Sequence, residues 1–279
     1  MRAESAADLL VQRGYFDAIT YSFIEPRLQD LFAPGAATLT LANPISADLA
    51  TMRASLWPGL VTALASNQRR QQPRVRLFEV GRKFVMSGQP ATLAEVPVIA
   101  GLAAGPALPE QWGAAKQAVD FFDVKADVEA LLQATGAGDG FRFVPGQHPA
   151  LHPGQTAQIL RGDAHVGWLG RLHPEVERQL ELTYSAVVFE LEVEGALAAR
   201  VPQYRDVSRF PMVRRDLALI VDEAVPVQRL LDCVRAAAGA VLRETSVFDI
   251  YRGAGIETGR KSVAIGLNLQ DVSRTLTDD

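Results

Sequence analysis

The sequence loses its hydrophobic periodicity over residues 197–209, and this break constrains the fold more than any other feature. The stretch, LAARVPQYRDVSR, follows neither the alternation of a strand nor the period of a helix. Regular patterns continue on both sides of it, and 279 residues exceed the length of most single domains. We therefore predict a first domain over 1–200, a linker over 201–207 and a second domain over 208–279.

Two segments of the first domain carry the apolar spacing of helices. In residues 57–70, Pro58 suits a first helical turn, and Leu60 and Leu64 belong to an apolar stripe. In residues 121–136, apolar side chains recur on one face and Gly136 ends the pattern. Both segments predict helices that cover a sheet.

Strand patterns fill most of the remaining first domain. Residues 74–85, RVRLFEVGRKFV, predict a strand, a short turn and a second strand, and 86–95 predict a loop. Residues 156–172 predict a hairpin that turns at Gly162 and Asp163. Strands joined by hairpins and mixed with helices predict an α+β domain built on an antiparallel sheet.

The second domain has the order strand, helix, strand, strand, at residues 216–222, 226–239, 242–253 and 261–271. The last strand separates into two faces. Val263, Ile265, Leu267 and Leu269 fall on one face, whereas the other is small and polar. The apolar face can pack a helix, and the polar face can remain open to a partner.

Composition excludes several classes of protein. The formal net charge is −4, which does not support nonspecific binding to nucleic acid, so any such contact must come from a local cluster. No apolar run approaches the roughly 20 residues needed to cross a bilayer. The single cysteine, Cys233, excludes an internal disulfide framework and fits a reducing cytoplasm. Its neighbours Leu230 and Val234 place it on or near an apolar helix face, as a core residue.

Two groups of possible metal ligands have simpler explanations. His148 and His152 are four residues apart, but Pro149, Pro153 and Gly154 prevent the helix that a zinc site with this spacing requires. We predict a turn that leads into the next strand. Asp120, Asp123 and Asp127 offer oxygen ligands, but the first two lie where a helix begins, so we predict helix capping instead. No metal site is predicted.

No catalytic or nucleotide motif is complete. In GAGIETGRKS, Gly253 and Gly259 are one residue too far apart for a phosphate loop, and Arg260 separates the second glycine from Lys261. The segment also joins two strands instead of opening a helix. There is no G-x-S-x-G sequence. We predict no catalytic residue in this chain.

One short motif introduces a resemblance. RLFEVGRKF resembles the second signature motif of class II aminoacyl-tRNA synthetases, but Val85 follows Phe84 where active members have an ATP-binding arginine. Further segments resemble the β subunits of bacterial phenylalanyl-tRNA synthetases, in family order along nearly the whole chain. They include GYFDAITYSF, NQRRQ, HPALHPGQ, FPMVRRDLALIV and VFDIYRG.

The resemblance implies a class II synthetase-like, noncatalytic first domain, followed by a ferredoxin-fold anticodon-binding domain. The fold would be β-α-β-β-α-β, so the second domain is expected to be truncated before its second helix and last strand, in a C-terminal fragment. The implied partners are the catalytic α subunit and tRNA(Phe), in a cytoplasmic α2β2 heterotetramer. No cofactor is expected in this fragment, whereas the complete enzyme would use ATP and Mg²⁺.

The resemblance also implies candidate binding residues. We expect tRNA contacts from basic and aromatic residues near the second sheet, since open sheets of this topology stack RNA bases on aromatic rings. These are Arg209, Arg214, Arg215, Phe248, Tyr251, Arg252, Arg260 and Lys261. In a regular strand, Phe248 and Tyr251 fall on opposite faces, so at most one should stack. The alternative is that the basic residues only protect sheet edges from aggregation.

For the α subunit, we expect an interface at residues 57–70, with Leu60, Leu64, Arg69 and Arg70 as candidates. Two other functions stay open. A stand-alone ferredoxin-like protein could bind a small molecule against the small-residue face. The chain could also be an active synthetase with displaced catalytic residues, but Val85 argues against this function.

Overall fold

The structure is a computed structural model that describes residues 1–87, 92–201, 203–204 and 207–276. The chain divides into two compact units, Met1–Pro202 and Gln203–Asp279. Each unit has its own sheet and its own buried apolar cluster. Three residues of the predicted linker, 202, 205 and 206, lie outside the described residues.

The first unit mixes short helices with a large sheet, as the sequence predicted. Its α-helices are α1 (Ala3–Gln12), α2 (Pro26–Phe32), α3 (Trp57–Arg69), α4 (Phe121–Gln133), α5 (Pro174–Gln179) and α6 (Val193–Ala196). Its strands are β1 (Phe16–Asp17), β2 (Phe23–Ile24), β3 (Thr51–Met52), β4 (Val75–Ser87), β5 (Thr92–Ala104), β6 (Phe141–Pro145), β7 (Leu151–Arg161), β8 (Ala164–Leu172) and β9 (Ala186–Glu192).

Seven of these strands form one sheet in the order β1-β4-β5-β9-β8-β7-β6. β1 pairs with β4 in parallel, and the other neighbours are antiparallel. β2 and β3 form a separate two-stranded ribbon. The predicted α+β class, with an antiparallel sheet in the first domain, is confirmed.

Helices cover both faces of the large sheet. Alternate residues of β9 therefore enter two different cores, with Phe189 among residues of α1 and α4, and Val188 among residues of α3. Leu60 and Leu64 of α3 are completely buried in the second of these cores. Burial of each such side chain contributes roughly 1.5–3 kcal/mol to folding.

The turn predicted within residues 74–85 is wrong, because β4 runs without interruption to Ser87. Gly81 makes room for a neighbour and does not make a turn, since a Cβ atom there would lie 2.7 Å from Arg53 Nη2. The Arg53 guanidinium forms a buried ion pair with Glu79 at 2.9 Å. The loop predicted at 86–95 is strand up to Ser87 and from Thr92 onward, and its middle lies outside the described residues.

The capping role predicted for two acidic residues is confirmed. The Asp120 carboxylate accepts from the backbone N–H of Phe122 and Asp123 at 2.7 and 3.0 Å, and the Asp123 carboxylate accepts from the Asp120 N–H at 2.9 Å. This reciprocal pair fixes the start of α4. Asp127 is buried in α4 and pairs with arginine side chains.

The turn predicted beside His148 and the hairpin predicted at Gly162 are also confirmed. His148 and His152 each accept a backbone N–H two residues later through Nδ1, at 3.2 and 3.0 Å. β7 begins within this segment, at Leu151. Gly162 has φ of +60° between β7 and β8, a conformation that favours glycine.

The second unit contains helix α7 (Val227–Ala238) and strands β10 (Val213–Asp222), β11 (Leu242–Tyr251) and β12 (Arg260–Leu269). The strands are antiparallel in the order β10-β12-β11. Val263, Ile265 and Leu267 form the core, against apolar side chains of α7. The predicted core position of Cys233 is wrong, because its side chain is exposed beside the α7 stripe that packs on the sheet.

In the part of the chain that the structure describes, no helix has both the length and the hydropathy needed to cross a membrane.

Candidate nucleic-acid interface

The second unit has one sheet face that α7 does not cover. Residues of β12 alternate between the faces, so Val263 and Ile265 pack under α7, while Ala264 and Gly266 point to the opposite side. Paired residues of antiparallel neighbours share a face, and Arg214 of β10 is paired with Asn268 on this opposite side. We call this side the open face.

Arg214 lies across the middle of the open face. Its Nε donates to Asp216 Oδ1 at 2.9 Å, and its Cζ lies 5.7 Å from the centre of the Phe248 ring. A Cβ atom on Gly266 would lie 3.1 Å from Arg214 Nη2 and 2.9 Å from Ser246 Oγ. The missing side chain of Gly266 therefore leaves the space in which the guanidinium lies.

A β-bulge brings both candidate aromatic residues to the open face. The register of β11 on β12 shifts between Val247 and Asp249, so Phe248 is the extra residue and has no direct partner. Phe248 contacts Arg214, and Tyr251 is paired with Ser262 on the same side. The expectation that the two rings fall on opposite faces is wrong, because it assumed a regular strand.

Two of the predicted cations lie on the helix-covered face. Arg215 is paired with Leu267, and Lys261 with Val221, so both belong to the side of the sheet that packs on α7. Lys261 is buried, and its ammonium donates to the Glu223 carbonyl oxygen at 2.7 Å. The structure thus separates Arg215 from its neighbour Arg214 and removes Lys261 from the set that can meet RNA.

Acidic partners partly neutralise Arg252, which follows β11, and Arg260, which begins β12. Arg252 donates to both carboxylate oxygens of Glu223, at 2.7–3.1 Å, and these bonds lower the pKa of Glu223. Arg260 lies 3.4 Å from a Glu257 carboxylate oxygen and 3.9 Å from Asp222. Arg209 is exposed before β10. Their charges are local and do not form a broad positive field.

The predicted subunit interface on α3 needs correction. Leu60 and Leu64 are buried inside the first unit, so a partner could not reach them without unfolding it. Arg69 and Arg70 are exposed at the end of α3, and Arg69 lies 3.8 Å from Glu181. The apolar stripe of this helix is thus explained by packing on the chain's own sheet.

An apolar surface that sequence reasoning missed lies at the outer edge of the large sheet. Phe16, Ile19 and Tyr21 are 72%, 95% and 73% exposed, and Val80 on the adjacent strand β4 is 40% exposed. We call these four residues the β1 edge patch. The alternation in residues 17–23 predicted a strand, whereas the structure has strand only at Phe16–Asp17 and Phe23–Ile24 and leaves Ile19 and Tyr21 exposed between them.

Comparison with known proteins identifies the family of this chain. The family model described as "Phenylalanyl tRNA synthetase beta chain CLM domain" matches residues 1–193, and "Ferredoxin-fold anticodon binding domain" matches 208–279. The chain belongs to the phenylalanyl-tRNA synthetase beta chain family. The resemblance identified from the sequence is therefore confirmed.

Curated relatives in this beta chain family cover the whole chain. The phenylalanine–tRNA ligase beta subunit of Pseudomonas fluorescens is 54% identical over 100% of the chain and 36% of the relative, and that of Methylococcus capsulatus is 51% identical over 98% and 34%. The chain thus spans about a third of their length. Two solved structures of pyrrolysyl-tRNA synthetase from Desulfitobacterium hafniense share the fold of part of the chain. Their TM-scores are 0.51 and 0.52, with 17% and 18% identity over 68% of the chain and 64% and 65% of theirs.

In this beta chain, strand β4, which carries the sequence RLFEVGRKF, makes internal ion pairs. Lys83 of β4 lies 3.0 Å from a Glu192 carboxylate oxygen and 3.4 Å from one of Glu190. Burial lowers the pKa of Lys83, but the two carboxylates outweigh burial and raise it. Glu190 also accepts from the Ser55 hydroxyl at 2.8 Å. These polar groups satisfy one another inside the first unit.

Proposed function

We propose that this chain is a noncatalytic part of a phenylalanine–tRNA ligase, contacting the anticodon region of tRNA(Phe) and scaffolding the catalytic α subunit. The observation that carries the tRNA contact is the arrangement of Arg214 beside Phe248 on the open face, within the unit that the anticodon-binding family matches. The names of the relatives support the same function.

The open face has the chemistry that single-stranded RNA requires. Phe248 and Tyr251 are 53% and 45% exposed, so bases can stack on them, and each stacked base contributes about 1–3 kcal/mol. Arg214 is held in place by Asp216 and can donate to a phosphate or a base edge. Arg209 adds a cation before β10.

Adjacent arginines on opposite faces provide the test. Arg214→Ala should weaken tRNA(Phe) binding by the assembled ligase by about 1–2 kcal/mol, because it removes a charged donor on the open face. The matched control is Arg215→Ala, which removes the same charge from the other face. Filter binding at two salt concentrations measures the tRNA affinity of both variants. The affinity of the Arg214 variant should depend less on salt than that of the control.

Gly266→Ala tests the same geometry without changing charge. Its Cβ would displace the Arg214 guanidinium, so we expect weaker tRNA binding with an unchanged circular dichroism spectrum. The open-face proposal would be contradicted if the Arg214 and Arg215 variants lost equal amounts of tRNA affinity. It would also be contradicted if the Arg214 and Gly266 variants both bound tRNA fully. Either result would favour the alternative that the basic residues only protect sheet edges from aggregation.

For the α subunit, the β1 edge patch is the surface we propose in place of the buried α3 stripe. Exposed aromatic and aliphatic side chains grouped on one edge are typical of protein interfaces. Among the described strands, the two-residue β1 has β4 as its one neighbour, so its outer side leaves backbone groups available to a partner. The exposed side chains of Arg69 and Arg70 remain further candidates.

Phe16→Asp and Ile19→Asp should therefore abolish co-purification with the α subunit, because each places a charge in an apolar contact. The matched control is Phe122→Asp on α4, since Phe122 is 71% exposed and Phe16 is 72% exposed. Full assembly of both patch variants, or equal loss from the control, would show that the patch is not the interface.

The chemistry would then belong to the α subunit, in a cytoplasmic α2β2 heterotetramer. That subunit would bind ATP, Mg²⁺ and phenylalanine, form the aminoacyl adenylate and transfer the amino acid to tRNA. In this chain, Val85 stands where the class II motif has its ATP-binding arginine, and no cofactor site is proposed. Calorimetry that detects micromolar ATP binding to the chain would contradict this assignment.

A further inference from the structure

Three arginine side chains meet at the start of β4, on the side of the sheet covered by α1 and α4. Arg13 directly follows α1, Arg74 directly precedes β4, and Arg76 is the second residue of β4. Their common acidic neighbour is Asp127 of α4, which contacts Arg13 and Arg76 at 2.5 and 2.8 Å. This cluster is part of the first unit and takes no part in the open face.

The hydrogen bonds recorded to the Asp127 carboxylate come from groups other than Arg74. One oxygen accepts from Arg13 Nε, and the other accepts from both Arg76 Nη1 and the Tyr15 hydroxyl, at 2.8 Å each. Among the described residues, no carboxylate lies within salt-bridge distance of Arg74. With one acid for three guanidinium groups, the cluster has two uncompensated positive charges.

Hydrogen bonding in the cluster is also incomplete. Arg74 and Arg76 share a single carbonyl acceptor, Ala107 O, at long distances of 3.4 and 3.3 Å. The Nε atoms of both arginines are buried and have no acceptor among the described residues. Arg76 is 8% exposed, so water cannot solvate most of its side chain.

This arrangement is energetically unfavourable without a further anion. Burial, followed by repulsion from Arg76, lowers the pKa of Arg74. Partly buried cations normally have a paired carboxylate or a bound anion, because unpaired buried charge is strongly destabilising. The cluster nevertheless remains accessible, since the Arg13 side chain is 36% exposed. Gly14 beside Arg74 has no side chain to cover it, and its φ of +84° favours glycine.

We propose that Arg13, Arg74 and Arg76 form a binding site for a phosphate oxyanion, carried either by free phosphate or by an RNA backbone. Guanidinium groups bind phosphate through paired N–H donors, and two excess positive charges attract both the dianion of free phosphate and the single charge of a backbone phosphodiester. A phosphate bound there would accept from the Nη groups of Arg74 and replace the long bonds to Ala107 O. The site is independent of the proposed contacts with tRNA at the open face.

Thermal unfolding of the chain in inorganic phosphate tests the proposal. All three tryptophans lie in the first unit, so their fluorescence follows the unit that holds the site. At ten times its dissociation constant, phosphate should raise the melting temperature by about 3 °C over chloride at equal ionic strength. Arg74→Gln should lose this increase. The matched control is Arg142→Gln, which removes an exposed arginine paired with Asp163 and should keep it.

A second measurement separates binding from a structural role. In chloride alone, Arg74→Gln should melt at the same temperature as the parent chain or higher, because it removes repulsion from Arg76. The proposal would be overturned if phosphate did not stabilise the parent chain, or if it stabilised the Arg74 variant as much as the parent. A large loss of stability in chloride would also overturn it, since Arg74 would then have a structural partner.

The source of the phosphate is distinguished with tRNA(Phe) and the assembled ligase. If an RNA backbone phosphate occupies the site, Arg74→Gln should weaken tRNA binding by about three- to tenfold, and inorganic phosphate should compete with the RNA. If free phosphate is the ligand, the variant should bind tRNA as the parent does. Both results require the phosphate-dependent stabilisation described above.

Discussion

His148 shows how tertiary packing changes the chemistry of one residue. Its ring lies between Trp57 and Trp168, with centroids 5.1 Å from each. Burial lowers its pKa to about 4, and the nearby charges of Lys83 and His165 act in the same direction. The folded chain therefore keeps His148 neutral under mildly acidic conditions in which an unfolded chain would protonate it.

We expect this histidine to make folding stability depend on pH. Because the unfolded chain takes up the proton below about pH 6.5 and the folded chain only near pH 4, its contribution is complete above pH 6.5 and is lost as the pH falls. The total loss should be about 3 kcal/mol. Urea denaturation between pH 7 and pH 4 measures it.

His148→Gln is the variant to compare, with His152→Gln as the control four residues away. The slope of unfolding free energy against pH should fall by up to about 1.4 kcal/mol per pH unit in the His148 variant and stay unchanged in the control. Identical slopes in the parent chain and the His148 variant would contradict the assignment.

At the level of elements, β10 and β12 have different environments although both carry apolar alternation. β12 is paired on both sides, whereas β10 has β12 as its one neighbour among the described strands. Leu217 and Ile220 of β10 are 40% and 50% exposed, while Val263 and Ile265 of β12 are completely buried. An apolar edge of this kind invites the addition of another strand.

Amide hydrogen exchange should distinguish the two strands. In residues 216–221 of β10, alternate amides point away from β12, so we expect fast and slow exchange to alternate along the strand. In residues 263–267 of β12, slow exchange should be continuous. Equal and strong protection of both strands in a monomeric chain would contradict this, whereas concentration-dependent protection of β10 would indicate that its edge pairs with another molecule.

At the scale of the whole molecule, the two units have very different amounts of core. The first unit has two buried clusters on opposite faces of a seven-stranded sheet. In the described part of the second unit, the buried apolar residues are Val263, Ile265 and Leu267, and α7 has no fully buried side chain. A small core provides little free energy to offset chain entropy.

We therefore expect the second unit to unfold at a lower denaturant concentration than the first. Tryptophan fluorescence reports the first unit alone, whereas far-ultraviolet circular dichroism reports both, so the dichroism transition should begin earlier. Val263→Ala should shift only this early phase, because it enlarges a cavity in the second core. Coincident transitions, or a fluorescence shift in this variant, would show that the units unfold together.

The sequence by itself determined the elements with strong local signals. The helix stripe at 57–70, the capping pair Asp120 and Asp123 and the hairpin at Gly162 were predictable because their causes lie within a few residues. The family was also readable from the order of its motifs. For the candidate site, the alternation in β12 indicated an open face, and Arg214 was among the residues proposed for it.

Only the tertiary structure decided which surfaces those elements cover and where regular alternation fails. The bulge at Phe248 depends on pairing with β12, so the strand's own sequence could not bring both rings to the open face. Strand alternation alone puts Arg214 and Arg215 on opposite faces, but which of the two faces is covered depends on the packing of α7. Burial of Leu60 and exposure of Phe16 likewise depend on distant segments. Each of these outcomes arises from contacts between residues far apart in the chain, to which local periodicity is insensitive.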